Sequence, residues 1–341
     1  GSFRSIDFAL SSMSNSHIQT VAVLTQYNAR SLNEHLSSSK WWNFGRKQGG
    51  LFLFTPTVTA DNSDWYRGTA DAMYQNIDFL KRRHEPYVII SSGDCVYKLD
   101  FNRVLDFHIE KKSDITVVCK DMMYNDDVSR FGVVRMDDES RITEFDEKPI
   151  EALSNTISTG IYVIRRRQLI ELLEAAAEEN RFDFVNDILV RYKNVKKIYG
   201  YKINSYWNNI ADIDAYFKTN MDFLRPDVRS YFFREEPTIC SKVDDLPPAK
   251  FNPGSDISHS LVSSGCIING SVEDSVLFKQ VFVGKNTTVK NCVILNDVYI
   301  GDNVHLENCI VESRGTINPN TCYCGEDGVM IVKEKNVRYV I

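Results

Sequence analysis

No apolar run in this 341-residue sequence approaches the roughly 20 residues needed to cross a bilayer, so a membrane protein is excluded on length alone. Net positive charge is lacking too. At −6 overall, with a pI near 5.6, the chain carries no electrostatic footprint for a polynucleotide, although a local pocket for a small anion stays open. The eight cysteines include no CxxC pair and no His/Cys cluster at zinc spacing, and they read as reduced, cytosolic, structural thiols. Cys322 and Cys324, two apart on one strand, would point the same way without meeting disulfide geometry. With 43% hydrophobic and 25% charged residues, neither disorder nor a collagen-like repeat fits. The length exceeds what one core usually organises, and two domains are expected. A chain opening on Gly1-Ser2-Phe3-Arg4 reads as starting inside a larger sequence.

From residue 20 to about 224, short β-rich runs alternate with helical patterns. Val21–Leu24 precedes a helical stretch at Ser31–Leu36, and Tyr87–Ile90 follows a helical pattern over Thr69–Arg82. Strands are expected at Asp114–Cys119, Gly132–Met136, Ile142–Phe145 and Ile157–Ile164, and helices at Gln168–Glu178, Asp183–Tyr192 and Asp212–Leu224. Strands without alternation are buried on both faces. This predicts an α/β domain with a mostly parallel sheet sandwiched by helices and ligands beyond the strands' carboxyl ends. Residues 225–255, with Pro226, Pro237, Pro247, Pro248 and Pro253, lack a period and read as an ordered linker.

Residues 256–341 repeat. Val272, Val289 and Leu306 are 17 apart, as are Asp274, Asn291 and Asn308, then Ser275, Cys292 and Cys309; Val283-Gly284-Lys285-Asn286 returns as Ile300-Gly301-Asp302-Asn303. A β-sandwich has no reason to keep residue type in step, whereas a left-handed parallel β-helix needs small or β-branched residues inside and Gly or Asn at its corners. Stacked cysteines are then inward or corner residues, and the flat faces of such a solenoid serve oligomerisation.

Three segments carry candidate chemistry. Asp94 in Gly93-Asp94-Cys95-Val96 follows a buried strand and could hold Mg²⁺, or it could cap the helix near Phe101. Trp65-Tyr66-Arg67-Gly68-Thr69-Ala70 opens a helix whose amides suit an anion or a purine edge, or Thr69 could be a cap only. Lys148, in Phe145-Asp146-Glu147-Lys148-Pro149, offers a point charge for phosphate, or belongs to a solvated charge cluster.

These runs, in order with Leu24-Thr25-Gln26-Tyr27, Ser31-Leu32-Asn33-Glu34-His35, Ser129-Arg130-Phe131-Gly132, Ser158–Tyr162 and Tyr206-Trp207, resemble bacterial glucose-1-phosphate adenylyltransferase across essentially the whole chain. The resemblance implies a Rossmann-like nucleotidyltransferase domain over residues 1–224 and a β-helix domain over 256–341. It also implies ATP and glucose 1-phosphate as partners, ADP-glucose for glycogen as product, and Mg²⁺. By resemblance Asp94 is the catalytic metal ligand, Lys148 holds the sugar phosphate, and Glu147, Gly132 and Ser158 line the sugar pocket. Gly68, Thr69 and Ala70 border adenine, and Gln26 and Trp65 relay a small-molecule activator. A cytoplasmic homo- or heterotetramer is implied, with no nucleic acid and no membrane.

The departures are equally specific. Asn209 in Tyr206-Trp207-Asn208-Asn209 stands where the family has a second metal-binding aspartate, Asn204-Ser205 replaces Glu-Gly, and Cys95 replaces a common histidine. The family's glycine-rich nucleotide loop would lie upstream of Gly1. These changes raise a second reading, a catalytically impaired regulatory subunit paired with a catalytic paralogue. An acyltransferase borrowing the β-helix would need a histidine between subunits, for which that region offers His259 and His305.

Overall fold

The computed structural model describes residues 3–45, 49–57, 65–123 and 126–334. Two compact units emerge, and neither follows chain order. One gathers the described residues up to Ser11, Asp94–Lys98 and those from Trp207 onward; the other holds Ser12–Gly93 and Leu99–Tyr206. Among the described residues no helix is long and apolar enough to cross a membrane.

The second unit is built on a six-stranded sheet, with strands β3 (Tyr87–Ser91), β5 (Ile115–Asp121), β6 (Gly132–Met136), β7 (Ile142–Glu147), β8 (Thr156–Arg165) and β9 (Ile198–Lys202). β3, β5, β6 and β9 share one direction, and β8 runs against them through the middle. A separate parallel pair joins β1 (Thr20–Leu24) to β2 (Gly50–Phe54). The strands expected from apolar runs form where expected. The central position of the ten-residue β8, paired to three neighbours, explains why Ile157, Ile161, Val163 and Ile164 are fully buried.

Helices cover the sheet with residues at helical spacing. In the helix Arg166–Glu178, Leu169, Leu172 and Leu173 are buried in one cluster with Ile115, Val117 and Phe145, and Ala176 is buried on the same helix. The helical pattern over Thr69–Arg82 divides into α3 (Thr69–Gln75) and α4 (Ile77–Lys81). Asn76 breaks it by turning its Nδ2 back to the Ala72 carbonyl at 2.9 Å and to the Tyr66 hydroxyl at 3.0 Å. The segment expected as a helix over Asp183–Tyr192 contains a π-helix, Val185–Val190.

The first unit is dominated by a parallel β-solenoid of about five turns, whose short strands stack into three five-stranded sheets. The 17-residue repeat is the coil. Val272 pairs with Val289 and Val289 with Leu306 on adjacent rungs, and Val283 with Ile300. Inside lie Ile268, Val272, Leu277, Val283, Val289, Ile294, Ile300, Leu306 and Val311, all fully buried together with Cys292 and Cys309. Two corners hold left-handed residues that are nearly all the expected asparagine, Asn286, Asn303 and Asn320 at one and Asn291 and Asn308 above Asp274 at another. The third begins with Gly265 and continues with Gln280, Asp297 and Arg314, three residues outside the Gly/Asn expectation. Side-chain amides also stack, Asn286 onto Asn303 at 3.2 Å and Asn303 onto Asn320 at 3.0 Å. Gly284 is demanded by the stacking itself, since a Cβ there would lie 2.4 Å from the Gly301 carbonyl oxygen.

The proline-containing stretch after residue 224 opens with a helix (Pro226–Phe233), with Pro226 in its first turn. The helix Ile213–Asp222, read from sequence as closing the first region, packs Tyr216, Phe217 and Met221 with Leu224 onto Val276, Val293 and Ile310 of the solenoid.

Candidate active site

In the second unit, the ends of β6, β7 and β8 bring three of the expected residues onto one face. Gly132 pairs with Glu147, and Val133 pairs with Ile157, which sets Gly132 and Ser158 on neighbouring strands one step along. The glycine is required by contact. A Cβ on Gly132 would sit 2.8 Å from Phe145 Cε1 and 2.9 Å from Glu147 Oε2, so only bare backbone lets the carboxylate lie there.

Glu147 is mostly buried, and burial holds its carboxyl above the usual range; Lys148 opposes this and Asp183 adds to it. Lys148 follows in left-handed conformation, φ 50°, its amide donating to the Phe131 carbonyl at 3.1 Å. Its ammonium, 67% exposed, lies 3.8 Å from Glu147 Oε1. A lysine held at its backbone and open at its tip suits a phosphate.

Ser158 is buried, with its hydroxyl 3.3 Å from that of Tyr162. Burial pushes the Tyr162 phenol up, the Ser158 hydrogen bond pulls it down, and the charge on Glu147 raises it further. Tyr162 and Asp183 thus join the cluster without having been singled out as site residues. For Tyr162 the signal was present in its even spacing from Ser158 along one strand. Asp183 comes from a distant segment and left none.

The segment around Gly68, Thr69 and Ala70 is assembled against the chain at residues 182–184. The amides of Ala70 and Asp71 both donate to the Phe182 carbonyl, at 2.9 and 3.2 Å, and Thr69 Oγ1 accepts from the Phe184 amide at 3.0 Å. Thr69 is therefore not a cap, and the first amides of α3 are spent within the protein. Gly68 permits this approach, because a Cβ would meet the Phe182 carbonyl oxygen at 2.3 Å. Arg67 lies over the Phe182 ring at 3.7 Å.

Gln26 and Trp65 come together in one loop pair. Gln26 Oε1 accepts from the Tyr66 amide at 2.6 Å, and the Tyr27 and Trp65 rings stack at 5.8 Å while 77% and 61% exposed.

Asp94 and Asn209 belong to the first unit, where the structure makes them neighbours. Strand β4 (Cys95–Tyr97) pairs antiparallel with β10 (Trp207–Asn209), with Asn209 opposite Cys95, and the Ile210 amide donates to the Asp94 carbonyl at 2.9 Å. Asp94 does not cap the following helix; Asp100 does, accepting from the Asn102 amide at 3.0 Å. Cys95, nearly fully buried, donates its thiol to Asp94 Oδ1 at 3.4 Å, and burial pushes that thiol well up. The Asn209 amide is already engaged: its oxygen accepts from the Ala211 amide at 2.9 Å and its nitrogen donates to Cys95 Sγ at 3.6 Å. The donor set fits a hard cation bound through one carboxylate and completed by phosphate oxygens, with position 209 adding no charge.

Of the two histidines named for the acyltransferase reading, His259 pairs with Asp274 at 2.5 Å on the solenoid surface.

Known proteins supply the context. Residues 1–225 match the family model described as nucleotidyl transferase, and residues 247–332 match that described as GlmU-like, C-terminal hexapeptide. The chain is 38% identical over 292 residues to a protein of Clostridium acetobutylicum named glucose-1-phosphate adenylyltransferase, covering 85% of this chain and 77% of that one. Proteins of the same name from Bacillus subtilis (37% over 292 residues, 85% and 77% covered) and Thermosipho africanus (37% over 291 residues, 85% and 70% covered) are similar to the same extent.

Proposed function

This chain belongs to the glucose-1-phosphate adenylyltransferase family of nucleotidyl transferases, and we propose that it joins ATP and glucose 1-phosphate into ADP-glucose and pyrophosphate. The observation carrying this reading is the set formed by Gly132, Glu147, Lys148 and Ser158. A partly buried carboxylate and a buried hydroxyl suit sugar hydroxyls, and an exposed ammonium beside them suits a phosphate.

The chemistry asks for positioning more than for proton transfer. A phosphate oxygen of glucose 1-phosphate attacks the α-phosphorus of ATP in line, the bond to the β-phosphate oxygen breaks, and pyrophosphate leaves; the nucleophile is already an anion. Lys148 holds the sugar phosphate and offsets its charge. Glu147 and Ser158 orient the ring. Gly68, Thr69 and Ala70 border the base. Asp94 would hold Mg²⁺, which when bound neutralises polyphosphate charge.

Gln26 and Trp65, joined through the Tyr66 amide and carrying an exposed aromatic stack, support a docking place for a small-molecule activator. The eight free thiols support a cytoplasmic setting, and the solenoid's faces support a tetramer of such subunits, homomeric or with a paralogue. Glycogen synthesis is the use the product's chemistry suggests.

One observation favours the second reading, an impaired regulatory subunit: the Asn209 amide is uncharged and occupied on both of its polar atoms. The test is pyrophosphate release by the full-length protein with Mg²⁺, glucose 1-phosphate and each nucleoside triphosphate in turn. Turnover with ATP by the lone chain supports the enzyme. Product formed only when a paralogue is added supports the regulatory subunit, and ADP-glucose in neither arm refutes both.

A further inference from the structure

The outer face of the solenoid carries a feature that linear spacing conceals. On the sheet containing strands His305–Glu307 and Cys322–Cys324, alternate residues point outward while Leu306 is buried within. His305 is the register partner of Cys322, and Glu307 that of Cys324. Two rungs thus present a square of one imidazole, one carboxylate and two thiols, and the two pairs belong to coils 17 residues apart. That is why no zinc-type spacing exists in the sequence.

Three of these residues are already spaced for one ion, and Cys322 adjoins them through Cys324. The ligating atoms of His305, Glu307 and Cys324 lie within 4.8 Å of one another. His305 Nε2 is 3.5 Å from Glu307 Oε2, and Cys322 Sγ is 3.5 Å from Cys324 Sγ. Bond lengths of about 2.3 Å to sulfur and about 2.0 Å to nitrogen or oxygen imply tetrahedral edges of about 3.8 Å between two sulfurs and about 3.3 Å between nitrogen and oxygen. Both measured edges fall within a few tenths of an ångström of these values. The rungs below carry no such set: the corresponding outward pairs are Thr288 with Lys290 and Ser271 with Glu273, and Lys290 is joined to Glu273 at 3.3 Å.

We propose that His305, Glu307 and Cys324 form a binding site for a thiophilic divalent cation of the zinc type on the solenoid's outer face, with Cys322, 3.5 Å from Cys324, turning in as the fourth ligand when the ion binds. Mixed S₂NO coordination selects such an ion over Mg²⁺, which prefers oxygen donors throughout. Side chains of His305 and Glu307 are 43% and 40% exposed, and Cys322 is exposed, so the ion can enter from solvent. Bound, it would staple two successive coils near the end of the solenoid. The proposal does not depend on the adenylyltransferase reading.

The test is titration of the reduced, chelator-stripped full-length protein with Co²⁺, followed by displacement with Zn²⁺. The expected result is one Co²⁺ per chain giving thiolate-to-metal charge-transfer absorption and the strong visible bands of four-coordinate geometry, both removed by Zn²⁺. Cys322→Ser with Cys324→Ser abolishes the charge transfer. His305→Gln weakens binding by more than the roughly 10–100-fold typical of losing an outer-shell partner. The variants sit on the surface, and an unchanged circular dichroism spectrum shows that they fold. Zn²⁺ is expected to raise the melting temperature of the parent and not of the double cysteine variant. Absence of charge transfer in the parent, or its persistence in the double variant, overturns the proposal.

Discussion

Glu147 answers to opposing demands. Its folded-state proton affinity is raised by burial, so it favours the native state in acid, and that contribution is lost as pH rises through its folded pKa. Glu147→Gln removes the loss. The variant is expected to melt higher than the parent at neutral pH and equally at pH well below the ordinary glutamate value, measured by calorimetry across that range. The same change should raise KM for glucose 1-phosphate roughly tenfold to a hundredfold, as expected when a charged hydrogen bond of about 1.5–3 kcal/mol is lost. At position 209 the reverse holds. Asn209→Asp places a second carboxylate beside Asp94, so it should lower the melting temperature in chelator, regain it with Mg²⁺, and raise kcat by about tenfold or more. Unchanged kcat would show that charge at 209 does not limit the reaction. Asp94 and Lys148 stood out from their own segments, and Glu147 and Ser158 through the family resemblance that the runs around them carry. Sequence alone could not show that Asp100 caps the helix in place of Asp94, nor that Asp183 adds its charge beside Glu147, since both depend on the folded path.

At the scale of elements, the solenoid was the most legible part, because its stacking period is a sequence period and β-branched residues at 17-residue intervals meet on adjacent rungs. Its third corner was legible only at Gly265. Gln280, Asp297 and Arg314 adopt a left-handed conformation that their residue types do not announce, held by the stacking of neighbouring coils. The division of the 69–82 helix at Asn76 was likewise set by a side-chain hydrogen bond rather than by periodicity, and periodicity does not distinguish the π-helix at Val185–Val190 from an α-helix. Leu306 fills the solenoid interior, and Leu306→Ala is expected to cost about 2–5 kcal/mol in urea unfolding of the unit, the range for cavity-forming changes in rigid cores. A loss below about 1 kcal/mol would mean that the coils collapse onto the gap.

At the scale of the whole molecule, the sequence divides into a nucleotidyl transferase region and a hexapeptide region, whereas compact packing gathers Asp94–Lys98 and everything described from Trp207 onward with the solenoid. Chain order hid this because β4 and β10 pair across more than a hundred residues, and because the helix Ile213–Asp222 buries its apolar side on solenoid strands. Lys148, beside Glu147 and Gly132, is proposed to take the phosphate of a sugar phosphate. The most direct measurement is calorimetric titration of the full-length protein and of Lys148→Ala with glucose 1-phosphate and with glucose. The parent is expected to bind glucose 1-phosphate, Lys148→Ala to weaken this by about tenfold or more, and any affinity for glucose to be unchanged. Equal binding of glucose 1-phosphate by both proteins would contradict it.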